Sequence, residues 1–391
     1  MDPVTNPYNP GAGTRPPALV GRDAEIDAMD VTLQRLLQGT NGRSQLLTGL
    51  RGVGKTVLLN EYEDIAEARG YFHEHIEVSE DGNLAPAMAS ALRRVLLAMD
   101  AKRRIGEAVR RALGVLKAFT LRIPDGAELS IDVDAVYGPA DSGDLAADLA
   151  GLFVEIGTVA QAHGTGILLT IDELHYVDLP TFTALIVGLH RASQRRLPIT
   201  IAGAGLPTLA ALTGAAKTYA ERMFTFPPIG SLSEEQAVEA LQTPARDAGV
   251  RWTPDALARI LPLTECFPYF LQEFGMRAWD VADGPHEITL DDVERSIPLA
   301  VAELDDGFFR VRTGSISASE RAYLRAMAAL GAGPVRSAEV AALLGKAPRA
   351  LSPVRDGLIK RALCYSPRWG EIAFTVPLFD QYMKRWIPDP R

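Results

Sequence analysis

The spacing of apolar positions divides the chain into stretches that predict different structures. Residues 1–18 hold Pro3, Pro7, Pro10, Pro16 and Pro17 and few apolar groups to offset the entropy of ordering. They predict an arm that is either disordered or laid extended across the next domain. From Val20 onward, apolar residues alternate between two patterns. Helical spacing puts Ile26, Met29 and Leu33 on one face, then Leu58, Tyr62 and Ile65 before Gly70, then Leu145, Leu149, Leu152, Ile156 and Val159. Further helices are expected over 85–99 and 180–192. Between the helices lie short runs suited to buried strands: Ser44-Gln45-Leu46-Leu47-Thr48, residues 71–78, 166–171 and 199–202, and Phe224-Thr225-Phe226. Gly203-Ala204-Gly205 is expected to end the fourth of these. Short apolar runs separated by amphipathic helices predict an α/β core whose parallel sheet is covered on both faces.

After Gly230 only the helical period remains, over 234–248, 254–261, 268–281 and 290–311, which predicts an all-helical domain spanning 231–312. Ser317-x-x-Glu320 is a capping box opening a helix with Tyr323, Leu324, Met327 and Leu330 inside. Ser337 is expected to cap a second helix that Gly345 ends, and Leu351, Val354 and Leu358 mark a third. Residues 363–366 and 371–376 flank Pro367-Arg368-Trp369-Gly370 as a hairpin. Three helices and a hairpin predict a winged helix-turn-helix over 313–391. Within the core, 19–230, the stretch near 100–140 is longer than a crossover requires and predicts an insertion. It would hold a basic helix over 102–117 (Lys102, Arg103, Arg104, Arg110, Arg111, Lys117) and a hairpin of 119–123 and 128–136 around Pro124-Asp125-Gly126. The basic helix reads as a solvated face, with an anionic partner as the alternative.

The chemistry concentrates in two strings. Gly49-Leu50-Arg51-Gly52-Val53-Gly54-Lys55-Thr56 fits G-x-x-x-x-G-K-[ST] and lies between a predicted strand and a predicted helix. Gly49, Gly52 and Gly54 let the backbone, Val53 included, curl so that its N–H groups and the helix N-terminus surround a phosphate. Lys55 would set a charge on the β- and γ-phosphates, and the Thr56 hydroxyl would ligate magnesium. The apolar run 166–171 ends in Asp172-Glu173, at the strand edge where ligands bind in open α/β sheets. Asp172 would hold the magnesium shell and Glu173 would polarise a water. Upstream, Val20-Gly21-Arg22 would line an adenine pocket or simply open a surface helix.

Charge changes the picture at one end. The 391 residues carry a net −9, which argues against a general nucleic-acid coat. Residues 315–391 nevertheless hold twelve basic and six acidic side chains, a net +6 on a chain that is otherwise −15. Arg349 and Arg355, off the Leu351/Val354/Leu358 face, and Arg368 at the hairpin tip are the candidate phosphate or base contacts. Pro353, Asp356 and Gly357 count against that helix, and Pro353 suits only a first turn. Cys266 and Cys364 have neither disulfide-framework nor metal-ligand spacing, which points to a reducing cytoplasm. The six histidines have no ligand spacing, and His175, just past the acids, is kept as a phosphate sensor. No apolar run is long enough to span a bilayer, so no membrane partner is expected.

These residues resemble AAA+-type P-loop ATPases of the origin-recognition-like group, which join a P-loop core, a helical lid and a winged helix. Residues 6–22 follow the NP-x-x-PGAG-x-x-PP-x-L-x-GR arm of bacterial members, and Pro268-Tyr269-Phe270-Leu271-Gln272-Glu273-Phe274-Gly275 is similar to their lid. The resemblance implies ATP and Mg2+ as ligands, Lys55 and Thr56 as phosphate and magnesium contacts, Asp172 as the metal acid and Glu173 as the catalytic base. It places Arg222 at the arginine-finger position. The pattern departs at Ala202-Gly203, where a polar sensor would sit, and at 264–268, which offer no second-sensor arginine. Both departures imply slow hydrolysis. The expected function is a magnesium-dependent ATPase whose nucleotide state controls a winged helix on double-stranded DNA, with a homo-oligomer or a protein partner implied. The alternative is a signalling switch whose winged helix meets a protein. A small-molecule kinase on the same loop is disfavoured by the winged module.

Overall fold

The computed structural model describes residues 1–391 apart from 12, 104–105, 123–131, 219 and 388–391. The chain forms two compact units: Arg22–Gly49 with Lys55–Pro228, and Met1–Gly21 with Leu50–Gly54 and Ile229–Arg391.

The first unit is an α/β sandwich. Its elements are α1 (Asp23–Leu37), β1 (Ser44–Thr48), α2 (Lys55–Ala68), β2 (Phe72–Glu77), α3 (Leu84–Arg103), α4 (Glu107–Thr120), α5 (Leu145–Ala162) and β3 (Ile167–Asp172). They continue with α6 (Leu179–Gln194), β4 (Ile199–Gly205), α7 (Leu209–Ala216), α8 (Ala220–Met223) and β5 (Phe224–Thr225). The five strands are parallel in the order β2-β3-β4-β1-β5. Every residue of β1, β3 and β4 is buried, and the sequences of β3 and β4 are accordingly near-continuous apolar runs. Strand alternation sorts the two faces. Ile167, Leu169 and Ile171 join the core formed with α3 to α6, while Thr170 faces α2 and donates its hydroxyl hydrogen bond to Glu63. Among the described helices α5 alone is long and apolar enough to cross a membrane, yet it packs on α4 and α6 with Leu149, Leu152, Phe153 and Ile156 fully buried.

Three expectations for this unit are corrected. β4 runs through Gly203 to Gly205 and does not stop at Ala202. Gly203 is a packing residue, since a Cβ there would stand 2.6 Å from Leu46 Cδ2 and 2.9 Å from Leu174 Cδ2. The basic helix over 102–117 is instead the end of α3 and most of α4, separated at Gly106, whose φ of +66° ends helical geometry. The 119–123 strand is absent at its start, because Phe119 and Thr120 continue α4. The apolar period of Val109, Ala112, Leu116 and Phe119 carries the helix on. Residues 132–136 are irregular, and the Pro124-Asp125-Gly126 turn lies outside the described residues.

In the second unit the arm is extended against helices. Tyr8 is 3% exposed; its hydroxyl donates to Leu241 O at 2.5 Å and accepts from Trp252 Nε1 at 2.7 Å. Asn6 Nδ2 bonds Met276 O and Asp280 Oδ1. The helices are α9 (Glu234–Asp247), α10 (Pro254–Thr264), α11 (Pro268–Val281) and α12 (Leu290–Glu303). Two short parallel strands, β6 (Arg251–Trp252) and β7 (Glu287–Ile288), correct the helices-only expectation. The last helix also breaks early, passing into a π-helical turn over Leu304–Arg310 and then α13 (Val311–Thr313).

The C-terminal part of this unit comprises α14 (Ala318–Leu330), β8 (Val335–Arg336), α15 (Ser337–Leu343), α16 (Pro348–Lys360), β9 (Cys364–Tyr365), β10 (Glu371–Phe374) and α17 (Phe379–Trp386). β8, β10 and β9 form an antiparallel sheet in that order. Ser317 and Glu320 make the expected capping box, but Ser337 is the first residue of α15 and Arg336 is its cap. Pro353 lies in the second turn of α16, not the first, so the helix lacks the bond it would make to the Arg349 carbonyl. α17 was not anticipated. It closes an aromatic row: Tyr269 stacks on Phe308 at 5.0 Å, Phe308 meets Phe309 edge-on at 5.2 Å, Phe309 stacks on Tyr382 at 5.0 Å, and Tyr382 on Trp386 at 5.5 Å.

Candidate nucleotide-binding site

The carboxyl edge of the sheet gathers the polar residues that both sequence strings supply. Gly49, just past β1, donates its N–H to Gly205 O at 3.1 Å, which ties the ends of β1 and β4 together. The chain then turns through Gly52 and Gly54, whose φ values of +81° and +92° belong to glycine. α2 begins at Lys55, which is 9% exposed and gives its ammonium to Gly49 O at 3.0 Å. On the next residue the Thr56 hydroxyl donates to Asp172 Oδ2 at 2.5 Å. Asp172, 6% exposed at the end of β3, accepts the Glu173 N–H on its other oxygen at 2.7 Å. Strand and helix each contribute an end, and that is what brings residues more than a hundred positions apart into hydrogen-bond contact.

Glu173 leaves the strand with a φ of +53°, a conformation that non-glycine residues adopt under local constraint. Its carboxylate lies 3.3 Å from Nδ1 of buried His175, and the same nitrogen is 3.4 Å from the Leu206 N. Gly205 lets the backbone at His175 come close to β4, since a Cβ there would stand 3.3 Å from the His175 backbone nitrogen. The adjacent Thr56 hydroxyl and Asp172 carboxylate are hard oxygen donors, the kind magnesium takes, so the donor set fits that ion.

Not every predicted residue joins this group. Arg222 stands just before β5, whose Phe224 pairs with Ser44 at the opposite, amino edge of the sheet. The five residues of β1 separate the two edges by roughly 16 Å at about 3.3 Å per residue. In the second unit Gly21 takes a φ of +68° against Gln236, with Val20 half-buried before it. Arg22, at the start of α1, is half-buried, and burial lowers its guanidinium pKa. Arg51 N–H donates to Thr375 O at 3.2 Å, and Gly52 O accepts from Tyr269 N–H at 3.3 Å, all within the second unit. A Cβ on Gly52 would meet the Phe267 ring at 2.8 Å. In the C-terminal part, Arg349 and Arg368 are exposed, whereas Arg355 is drawn to Asp356 at 3.2 Å.

One cluster beside the site escaped the sequence reading. His73 and His75, two apart on β2, both face Glu63 of α2, at 3.6 Å and 3.1 Å. Burial alone would raise the Glu63 carboxyl, but hydrogen bonds with His73, His75 and Thr170 outweigh it and hold the pKa down at about 2. The hydrogen bond to Glu63 raises both histidines against the opposing effect of burial. The i, i+2 spacing of two histidines on a predicted strand was the available signal.

Comparison with known proteins places this geometry. Residues 18–201 match the AAA ATPase domain family, and residues 306–383 match a family described as a domain of unknown function (DUF8462). No curated relative matches the chain in sequence. Among solved structures, the Walker-type ATPase PABY2304 of Pyrococcus abyssi is similar over 95% of this chain and 97% of its own, with a TM-score of 0.59 at 15% identity. The Aeropyrum pernix Orc1 protein in complex with DNA aligns over 94% and 93% with a TM-score of 0.46 at 14% identity. The Thermotoga maritima RuvB Holliday junction branch migration motor aligns over 95% and 96% with a TM-score of 0.44 at 15% identity. Neither of these two carries weight at that score. The parallel five-stranded sheet and the glycine-rich turn into α2 fit a P-loop nucleotide-binding core, in keeping with the match of residues 18–201 to the AAA ATPase domain family.

Proposed function

We propose that the protein is a magnesium-dependent ATPase whose nucleotide state controls a C-terminal winged helix on double-stranded DNA. The observation that carries the reading is the contact of Thr56 with Asp172 beside the buried Lys55 at the carboxyl edge of the sheet. Lys55 would meet the β- and γ-phosphates, with Gly49, Gly52, Val53 and Gly54 supplying backbone around them. Val20, Gly21 and Arg22 are assigned to the base of the nucleotide. Thr56 and Asp172 would hold the magnesium ion, which neutralises developing phosphate charge when bound. Glu173 orients and polarises the attacking water, and His175 steadies the Glu173 carboxylate. Arg222, at the far edge from its own loop, acts on the nucleotide of a second copy. With no second-sensor arginine over 264–268, hydrolysis is slow and the protein is a switch.

Residues 231–312 are read as the lid and 313–391 as the winged helix, the arrangement of origin-recognition-like ATPases. Coupling to the nucleotide is supported by Leu50–Gly54 grouping with these segments, and by the Gly52–Tyr269 bond at the start of the aromatic row to Trp386. DNA binding is supported by the +6 charge of 315–391 and by exposed Arg349 and Arg368. A second reading, a protein-binding wing, is favoured by the Arg355–Asp356 pair and by fully exposed Trp369. The thiols of Cys266 and Cys364 are both free, which suits the cytoplasm.

The test is duplex affinity of the full chain against salt, with ATP and with ADP. The reading requires a log–log slope that falls by about one unit when Arg349→Ala or Arg368→Ala removes a phosphate-binding guanidinium. It also requires an affinity that differs between the two nucleotides. A chain that turns over ATP but ignores duplex at low salt would favour the protein-binding reading.

A further inference from the structure

The amino edge of the sheet holds a cavity of about 420 Å³ that the ATPase reading does not use. Three arginines surround it: Arg35 of α1, Arg43 just before β1, and Arg222 of α8. Among the described residues no carboxylate lines it; Glu221 is its nearest acid in sequence and is not among the lining residues. Some arginines of the same unit find partners, Arg69 with Asp30, Arg94 with Glu74 and Arg111 with Glu155. Among the described residues the three cavity arginines form no ion pair, and Arg35 is steadied only by its Nε bond to Asn41 O at 3.2 Å. Buried Ser44 and Thr200, whose hydroxyls lie 2.8 Å apart, add polar lining and keep further hydrogen-bonding capacity. Leu36, Leu197 and Met223 supply apolar wall.

We infer that this cavity is a binding site for a small organic phosphate. Guanidinium groups match phosphate oxygens in charge and geometry, and three of them without a competing carboxylate leave the anion as the missing partner. The volume lies in the range of small-molecule sites, and the apolar wall gives a compact organic body somewhere to rest. A bare anion would leave that wall unused. The site is separate from the phosphate loop, so it stands whether or not the ATPase reading does. A ligand held there would also engage Arg222 and so withhold it from a second copy.

The experiment is calorimetric titration of phenyl phosphate into the full chain with saturating magnesium and ADP present, with inorganic phosphate as the comparison. One site is expected, tighter for phenyl phosphate than for inorganic phosphate. Affinity should fall about ten-fold or more in Arg35→Ala/Arg43→Ala and be unchanged in Lys55→Ala. Circular dichroism and ADP binding check that the double variant is folded, and Arg43→Lys, which keeps charge but not the fork, should lose less. Binding no tighter than that of inorganic phosphate would overturn the inference, as would unchanged binding in the folded double variant. Loss in Lys55→Ala alone would move the ligand to the phosphate loop and overturn it while leaving the ATPase reading intact.

Discussion

The two edges of the same five-stranded sheet are built on opposite principles. At the carboxyl edge, polar groups are matched inside the protein: Lys55 meets a carbonyl, Thr56 meets Asp172, and Glu173 meets His175. At the amino edge, Arg35, Arg43 and Arg222 stand around a cavity with no carboxylate among its lining residues. A matched group is pre-organised, and little must move when a ligand replaces one internal partner by another. The three arginines there are exposed, and among the described residues Arg35 alone is steadied, by its bond to Asn41 O, so an anionic partner has to come from outside. On the proposed reading the first edge carries the chemistry and the second the recognition.

The largest effect should come from the edge that contains no chemistry of its own. If Arg222 serves a second copy, Arg222→Ala lowers turnover by about 10³-fold while each chain still binds ATP. Mixing Arg222→Ala with Lys55→Ala chains should restore part of the turnover, because each supplies what the other lacks. No recovery in a preparation shown to contain mixed assemblies would confine Arg222 to the cavity. At the carboxyl edge, Glu173→Gln should slow a single turnover by about 10²-fold or more with ATP and magnesium still bound, since a base matters to chemistry more than to ground-state binding. An unchanged rate would mean the water is activated from elsewhere. Lys55→Ala should weaken ATP by about 10- to 100-fold, the loss of one charge-assisted contact. Equal affinity for mutant and parent would mean that the loop does not hold the phosphates.

The carboxyl edge was legible in the sequence because its parts are contiguous strings at strand ends. A glycine-rich turn between strand and helix, and two acids closing an apolar run, can occupy only one edge of a parallel sheet. The amino-edge cavity was not legible, since Arg35, Arg43 and Arg222 meet only through the order β4-β1-β5, which spacing does not specify. Glycine misled the reading of β4: Gly203 marks a close approach of Leu46 and Leu174, not a strand end. The mistaken strand at Phe119 and the unanticipated α17 share a cause. In both, apolar residues stand at helical spacing, Leu116 and Phe119 in one, Phe379, Tyr382 and Trp386 in the other, and that period carries the helix.

The smallest effect sharpens the comparison from between the two edges, where Glu63, His73 and His75 form a second self-matched group. Glu63, at about 2, is ionised in the folded state across the ordinary pH range. His73 and His75 are raised above 6.5 by the hydrogen bond to Glu63, with Glu67 and Glu74 adding to His73, and Asp172 and Glu77 to His75. A raised histidine contributes stability that is complete below its unfolded pKa and disappears as pH climbs through the folded one. The depressed carboxyl contributes above its unfolded value of 4.5 and loses that contribution as pH falls toward about 2. The cluster therefore stabilises most between pH 4.5 and 6.5, and weakens on the alkaline side. Since these side chains are partly solvated, the term should be on the order of 1 kcal/mol. Denaturant unfolding of parent and Glu63→Gln at about pH 6 and about pH 9 checks it. The parent should exceed the variant at the lower pH, and the gap should shrink at the higher. A gap that is constant or grows with pH would mean that Glu63 acts through packing and its Thr170 contact rather than through the histidines.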